Sequence, residues 1–214
     1  MSHQRIRFEV RDDSNRSRAV SYKIDCFDKP IFVLVTSKPA VAREWIGYVT
    51  RQNWRFVNSG RLIVGVGVQW TPGSDPSAAV LAICVGKNCL IFQIHRAGRI
   101  PRLVYRFLSD ERHRFVGINN FSDQRMLLRF DSQLLVRELI ELGRLARDRY
   151  QNIPPKVSME TLAHKLLGWP NIMKNENVGR SDWEVTNLSH AQIKYAALDA
   201  FLSFRIAEVV LKAR

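Results

Sequence analysis

Few cysteines, few acidic residues and short apolar runs mark this sequence, and each scarcity excludes a class of protein. Three cysteines, Cys26, Cys84 and Cys89, are too few for a disulfide-stabilised scaffold, and no partnering histidine completes a zinc site beside them. No apolar run approaches the length of a membrane span, and the N-terminal residues are charged where a secretory signal is apolar. We therefore expect a protein that makes no membrane contact and resides in the reducing cytoplasm or the nucleus.

The shortage of acidic residues leaves a strongly basic chain. Lysine and arginine number 33 against 20 aspartate and glutamate residues, which gives a formal net charge of +13, and arginine supplies most of the excess. Such a charge attracts phosphate groups at long range, so a polyanionic partner is predicted, and nucleic acid is the most direct candidate. The alternative is that the charge serves solubility alone.

The domain organisation is predicted to be simple. The 214 residues contain no internal repeat and no Ser/Gly-rich linker, so we expect one domain spanning residues 1–214. β-rich runs come first, and helical and strand-like stretches alternate after Pro101, which is typical of an α/β protein.

The stretch from Arg61 to Thr71 predicts a buried strand at the centre of the sheet, because its apolar residues run almost without interruption. Glycines inside such a strand mark a bulge or a place where another group approaches the backbone, and Gly65 and Gly67 stand here. Gln69 lies where the run leaves the core. The strand then ends in a loop at one edge of the sheet, where α/β proteins place functional groups.

A basic stripe follows on a predicted helix. Arg99, Arg102 and Arg106 are spaced three and four residues apart, so they share one helical face. That face is either solvated or binds the phosphates of a nucleic acid.

Three residues later in the chain have both a structural and a functional interpretation. Tyr195 and Asp199 lie one turn apart on the last predicted helix, on a face expected to pack towards the core. A buried carboxylate needs a partner, so Asp199 is either a functional group or a member of an ion pair near Lys194 or Arg205. Asp123 is likewise either a ligand or a helix cap.

The order of these pieces resembles the 3′-to-5′ exonuclease domain of the Werner/RNase D type, most closely the small plant members. The resemblance covers nearly the whole chain, and its C-terminal part, with Gln192, Tyr195, Ala196 and Asp199, is specific. The stretches that carry it are VGVGVQWTPG (64–73), FVGINNFSDQRML (115–127), METLAHKLLG (159–168), RSDW (180–183) and LSHAQIKYAALDAFLSFRI (188–206).

This resemblance implies an α/β, ribonuclease H-like (DnaQ-like) fold, with a mixed central sheet flanked by helices. It also implies a two-metal site for Mg²⁺ or Mn²⁺, built from four carboxylates and a tyrosine (the DEDDy pattern). Asp123 and Asp199 match two of the acidic metal ligands, and Tyr195 matches the tyrosine that helps to place the attacking water.

The first acidic motif departs from the family pattern, since Gly67 and Gln69 occupy the places of an aspartate and a glutamate. Glycine offers no side-chain ligand, and a neutral amide is a poor substitute for a carboxylate at a hard divalent ion. We therefore expect a domain that binds single-stranded RNA or DNA, holds metal weakly or not at all, and has weak or no hydrolytic activity.

Two alternatives remain open at the level of sequence. One is a working metal-dependent exonuclease that recruits a substitute ligand from Asp75, from another subunit of a homo-oligomer, or from the substrate phosphate. The other is a non-catalytic scaffold whose basic surface meets protein partners.

Overall fold

The computed structural model describes residues 6–12, 19–172 and 175–212 of the chain. Within these residues eight strands form one sheet: β1 (Ile6–Asp12), β2 (Val20–Cys26), β3 (Lys29–Thr36), β4 (Leu62–Gln69), β5 (Val80–Val85), β6 (Asn88–Phe92), β7 (His113–Gly117) and β8 (Ile140–Glu141). Their order across the sheet is β1-β2-β3-β6-β5-β4-β7-β8. Parallel and antiparallel pairs both occur, so the predicted mixed sheet is confirmed.

Helices cover both faces of the sheet, which confirms the predicted α/β class. The described helices are α1 (Pro39–Gln52), α2 (Trp54–Asn58), α3 (Arg102–Leu108), α4 (Phe121–Phe130), α5 (Leu142–Arg149), α6 (Met159–Leu162), α7 (Glu176–Gly179) and α8 (His190–Val210). Helices α1 to α4 contribute to the apolar core on one face, and α5, α6 and α8 to the core on the other. No helix in the described part of the chain is long and apolar enough to cross a bilayer.

Strand β4 is the buried strand predicted from the sequence, with β5 antiparallel on one side and β7 parallel on the other. Successive residues of a strand point to opposite faces of the sheet. Alternate valines of β4 therefore join the core under α1 and α3, and the residues between them face α8. Gly65, Gly67 and Gln69 are the α8-facing residues at the end of the strand.

Glycine at position 65 lets α8 lie directly on the strand. A Cβ atom at Gly65 would be 2.0 Å from the carbonyl oxygen of Ala200 and 2.8 Å from the amide nitrogen of Phe204. Both atoms belong to one turn of α8, so no other residue type fits without displacing the helix. Helix α8 is therefore the group that approaches the strand backbone at this glycine, as the sequence predicted.

Helix α8 begins directly after Ser189, a residue type that commonly caps the N-terminus of a helix. The side chain of Ser189 accepts a hydrogen bond from the backbone N–H of Gln192, and the side chain of Gln192 accepts one from the backbone N–H of Ser189. This reciprocal cap fixes the first turn of the helix. The helix is thereby placed so that Tyr195 and Asp199, further along it, reach the end of β4.

Four of the five adjacent strands β3, β6, β5, β4 and β7 share one direction, and only β5 runs the opposite way. β3 is parallel to β6, β6 and β4 are each antiparallel to β5, and β4 is parallel to β7. The carboxyl ends of β3, β6, β4 and β7 therefore meet the same edge. Loops at such an edge commonly carry binding groups in α/β proteins.

A buried histidine makes stability depend on pH. The side chain of His113, in β7, is 1% exposed, and its Nδ1 donates to the carbonyl oxygen of Phe107 at 3.1 Å. Among the described residues Nε2 has no hydrogen-bond partner, and it lies 3.9 Å from Asp110 Oδ2. Burial lowers the pKa of His113 below its ordinary value of 6.5.

We expect the free energy of unfolding to fall as the pH drops below about 6.5, because the unfolded chain takes up a proton that the buried imidazole resists. The Arg112 guanidinium lowers the pKa of Asp110 from 3.8 to about 2, so the loss from that carboxylate begins only below about pH 4. Urea unfolding between about pH 5 and 7.5 checks this. His113→Asn, which does not titrate there, should show the shallower pH dependence, and equal slopes for the two proteins would contradict the assignment.

Candidate functional site

A cleft of about 350 Å³ opens at the carboxyl end of β4. It lies between the ends of β4 and β7, the first turn of α4 and the inner face of α8. All five residues singled out by the exonuclease resemblance line it: Gly67, Gln69, Asp123, Tyr195 and Asp199. The structure therefore brings together side chains that lie as much as 132 residues apart in the sequence, from Gly67 to Asp199.

Gln69 binds directly to Asp199 in this cleft. Its Nε2 donates a hydrogen bond to Asp199 Oδ2 at 2.7 Å, and the glutamine is 6% exposed. A hydrogen bond to an ionised acceptor is shorter and stronger than one between neutral groups. The amide thus supplies a positive dipole to a carboxylate at the mouth of the cleft.

Gly67 leaves very little space in front of Asp199. A Cβ atom at position 67 would lie 3.0 Å from Asp199 Cβ and 3.7 Å from the backbone nitrogen of Ala200. The first distance is short enough that the neighbour would have to move by a few tenths of an ångström, whereas the second is an ordinary van der Waals contact. Helix α8 therefore occupies the side of β4 on which a longer side chain would have to stand.

Asp123 is the third residue of α4, in the first turn, rather than the residue that caps the helix. Negative charge in that position is stabilised by the helix dipole. The preceding turn is fixed by Asn120, whose side chain donates to the carbonyl oxygen of Ile140 and whose backbone N–H donates to Glu141 Oε2. The carboxylate is thus carried on a helix whose entry is tied to β8.

Tyr195 is covered by the short helix α7. A Cβ atom at Gly179 would lie 2.6 Å from the Tyr195 hydroxyl oxygen, so the glycine permits the contact. The ring of Trp183 lies 6.0 Å from that of Tyr195, and its Nε1 donates to the carbonyl oxygen of Gly179 at 3.1 Å. Together these contacts fix the phenol at the cleft wall.

Residues 180–183, which follow α7, are held by hydrogen bonds to the residues after β4 and to the first turn of α8. Thr71, just beyond β4, donates through its hydroxyl to Asp182 Oδ1 and accepts from the backbone N–H of Trp183. Gln192 Nε2 donates to the carbonyl oxygen of Asp182 at 2.6 Å. Residues 180–183 are therefore held between the end of β4 and the start of α8.

A model of the 3′-5′ exonuclease family matches residues 70–212. The chain belongs to the 3′-5′ exonuclease family. The match includes Asp123, Tyr195 and Asp199 and begins directly after Gln69, so membership does not depend on Gly67 or Gln69.

Curated relatives carry the same family name. A 3′-5′ exonuclease of Arabidopsis thaliana is 28% identical over 158 residues, which cover 71% of this chain and 54% of that protein. The mouse bifunctional 3′-5′ exonuclease/ATP-dependent helicase WRN is 26% identical over 144 residues, which cover 65% of this chain and 10% of that protein. The chain thus spans about half the length of the first relative and a small part of the second.

Solved structures of exonucleases share the fold. Brucella melitensis NrnC superposes with a TM-score of 0.59 at 18% identity, covering 71% of this chain and 72% of that one. Escherichia coli RNase D gives 0.59 at 15% identity, covering 73% and 41%. The EXO domain of Aedes aegypti Nibbler gives 0.60 at 15% identity, covering 84% and 87%. The fold of this family member is ribonuclease H-like, as the sequence resemblance implied.

The residues that match the family's metal ligands supply two carboxylates to the cleft, Asp123 and Asp199. Across the described residues no group of three or more His, Cys, Asp and Glu side chains could hold a metal ion. Two adjacent hard cations require several anionic oxygens, and here one of the two matched carboxylates already accepts from the Gln69 amide. Asp75, the substitute ligand considered from sequence, instead pairs with Arg129 on the surface.

Two further charged residues of this exonuclease domain line the cleft and were missed by sequence reasoning. Glu176 and Arg180 belong to the stretch 171–187, which the sequence predicts as a polar loop. The structure forms the helix α7 there, begun by an Asn175 side chain that accepts from the backbone N–H of Asn177. The Glu–Arg spacing of four residues was the available signal for a helical turn.

The arginines predicted to bind nucleic acid lie outside the cleft. Arg99, Arg102 and Arg106 line a separate depression between α1 and α3. The predicted helical face of three arginines is wrong for Arg99, because α3 begins at Arg102 after Pro101. Their role in binding nucleic acid stays a prediction.

Proposed function

We propose that this 3′-5′ exonuclease domain binds the end of a single-stranded nucleic acid, RNA or DNA, in the cleft and hydrolyses it weakly or not at all. The observation that carries the proposal is the 2.7 Å hydrogen bond between Gln69 Nε2 and Asp199 Oδ2. It joins a family-matched carboxylate to a neutral amide at the place where the family has an acidic residue. We also propose that residues 1–214 form one domain.

Binding is supported by the charge of the chain and by the surroundings of the cleft. The formal net charge of +13 draws a phosphate backbone towards the protein, and Arg180 lines the cleft itself. Brucella melitensis NrnC, whose fold is similar at 19% identity and a TM-score of 0.54, has been solved bound to pGG. We infer by analogy that the cleft of this chain accepts the same chemical class of ligand, a short nucleic acid end.

Weak hydrolysis is supported by the shortage of anionic ligands. In metal-dependent phosphoryl hydrolysis the ions lower the pKa of the attacking water and neutralise charge on the phosphate, so both effects require ions held firmly in place. The side chains of this cleft act otherwise. Gln69 offsets part of the charge on Asp199 by donating a hydrogen bond to it, and Gly179 and Trp183 fix Tyr195 from the opposite wall.

The experiment compares binding and degradation in the same protein. We expect an end-labelled single strand to bind with an affinity that declines as salt rises, and to remain at full length in millimolar Mg²⁺ or Mn²⁺. Binding is measured by fluorescence anisotropy and degradation by gel electrophoresis. In calorimetric titrations with Mn²⁺, the natural protein and the Asp199→Ala variant should release the same heat, because Asp199 holds no ion firmly.

Metal-dependent degradation that Asp199→Ala abolishes would overturn the proposal in favour of an active exonuclease. Asp75→Ala is the matched control, since it removes an exposed carboxylate that the cleft does not contain. If Asp75→Ala abolished the same activity, Asp75 would be the substitute ligand. A chain that bound no nucleic acid at low salt would instead favour a protein-interaction scaffold.

A further inference from the structure

A second depression lies between α1 and α3, with a volume of about 560 Å³. Four arginines line it, Arg43, Arg99, Arg102 and Arg106, and we call it the arginine groove. An adjoining depression of about 620 Å³ shares Arg99 with the groove and adds Lys38 and Arg96. The family-matched cleft shares none of these residues.

The arginines of the groove are exposed and lack acidic partners. Among the described residues none of the four guanidinium groups pairs with a carboxylate, and the two depressions include a single acidic residue, Glu44. Elsewhere Arg112, Arg129 and Arg137 each pair with an acidic residue. Like charges that converge without counterions repel one another, so this arrangement favours an anion that is supplied from outside.

Arg43 comes from a different element than the other three. It lies in the first half of α1, whereas Arg102 and Arg106 lie on α3 and Arg99 in the loop before it. A solvated stripe on a single helix would not require the opposing helix to contribute a cation. Facing guanidinium groups can instead hold a phosphate from two sides, with the planar fork that suits its oxygens.

The start of α1 adds to the positive potential of the groove. This helix of 14 residues begins at Pro39 after Lys38, has no acidic residue in its first turn and has no side-chain cap. The positive end of its dipole therefore points to the groove without compensation.

The arginine groove and the cleft open along the same edge of the sheet. The groove follows the carboxyl ends of β3 and β6, and the cleft follows those of β4 and β7. The midpoints of the two strand pairs are three strand spacings apart, a distance of about 14 Å. One extended strand of nucleic acid can reach both places, since single-stranded sites in proteins commonly span about 4 to 16 nucleotides.

We propose that the arginine groove binds the sugar–phosphate backbone of a single-stranded nucleic acid whose terminal nucleotides occupy the cleft. The inference rests on the proposed function, because the cleft defines where the strand ends. It assigns the groove to phosphate contacts, which position a strand without reading its sequence.

The test is the salt dependence of binding, measured by fluorescence anisotropy with labelled single strands of dT and rU about 10 nucleotides long. Each phosphate contact contributes about 0.7 to the slope of log affinity against log salt for a single strand. Arg102→Glu with Arg106→Glu should therefore make the slope shallower by about 1.4 and weaken binding about tenfold or more for both sequences. Arg43→Ala with Arg99→Ala should act in the same direction, and circular dichroism verifies that each variant folds.

Two comparisons make the result specific to the groove. Arg61→Glu with Arg144→Glu has the same change in charge on exposed residues that line neither depression, so its slope should stay close to that of the natural protein. A labelled dinucleotide, which is too short to extend from the cleft to the groove, should bind the natural protein and the groove variants alike.

The natural protein could bind with salt dependence while both groove variants keep its slope. That result would overturn the assignment of the groove to phosphate contacts and leave the proposed function standing. Absence of binding by the natural protein would overturn both. A poly-glutamate peptide that bound more tightly than the oligonucleotides, and lost its affinity in the groove variants, would assign the groove to an acidic protein and contradict the proposal.

Discussion

Gly65→Ala should destabilise the protein by about 3 kcal/mol or more, because the added methyl group would stand 2.0 Å from the carbonyl oxygen of Ala200. Neither side can yield cheaply. The oxygen belongs to the backbone of α8, and Gly65 lies in a strand bonded to neighbours on both sides. For a chain of this length the loss corresponds to a melting temperature lower by roughly 6 to 12 °C, measured by thermal unfolding.

Two other glycines give a graded control for Gly65→Ala. At Gly67 the added atom would be 3.0 Å from Asp199 Cβ, so Gly67→Ala should cost less. Gly73, in the loop after β4, has no atom within 4 Å of the added carbon, so Gly73→Ala should leave the melting temperature nearly unchanged. If the Gly65→Ala variant had the same melting temperature as the natural protein, the contact between α8 and β4 would be looser than the structure shows.

The double change Gly67→Asp with Gln69→Glu should create metal binding where the natural protein has little. It adds two anionic side chains beside Asp123 and Asp199 and removes the amide donor from Asp199. Mn²⁺ at about a hundred times its dissociation constant should then stabilise the variant by about 2.7 kcal/mol. The melting temperature should rise by roughly 5 to 11 °C on adding Mn²⁺, and that of the natural protein should not.

The single changes separate the contributions. Gln69→Glu alone replaces a hydrogen bond by two adjacent carboxylates, so we expect it to destabilise the protein and to gain less from Mn²⁺ than the double variant. Gly67→Asp alone has to displace Asp199 or α8 slightly. If Mn²⁺ raised the melting temperature of the natural protein and of the double variant equally, the proposed shortage of ligands would be wrong.

Periodicity and composition sufficed to predict two of the elements that frame the cleft, β4 and α8, but not α7. The apolar run from Arg61 to Thr71 is a local signal, and strand β4 (Leu62–Gln69) lies within it. The Ser189 cap of α8 is a local signal as well. The partner of Asp199 was not predictable in that way. An ion pair of Asp199 near Lys194 or Arg205 was one interpretation of the sequence, whereas the hydrogen bond to Gln69 depends on which face of β4 meets α8.

Sequence could not decide whether Arg99, Arg102 and Arg106 form a solvated face. The answer depends on α1, which is more than 40 residues earlier in the chain and places Arg43 opposite them. That juxtaposition follows from the parallel pairing of β3 with β6, a long-range contact that has no local signature. Long-range pairing likewise determines which loops share an edge of the sheet.

The hydrogen bond between Gln69 and Asp199 also has an evolutionary consequence. A glutamine codon can become a glutamate codon by one base change, and a glycine codon can become an aspartate codon in the same way. Two base changes in the gene would therefore create the acidic pair. Each single step nevertheless passes through a less favourable protein, since one step loses the amide donor and the other crowds Asp199. The neutral pair is therefore expected to persist in a lineage, because a change to the acidic pair requires both substitutions before either is beneficial.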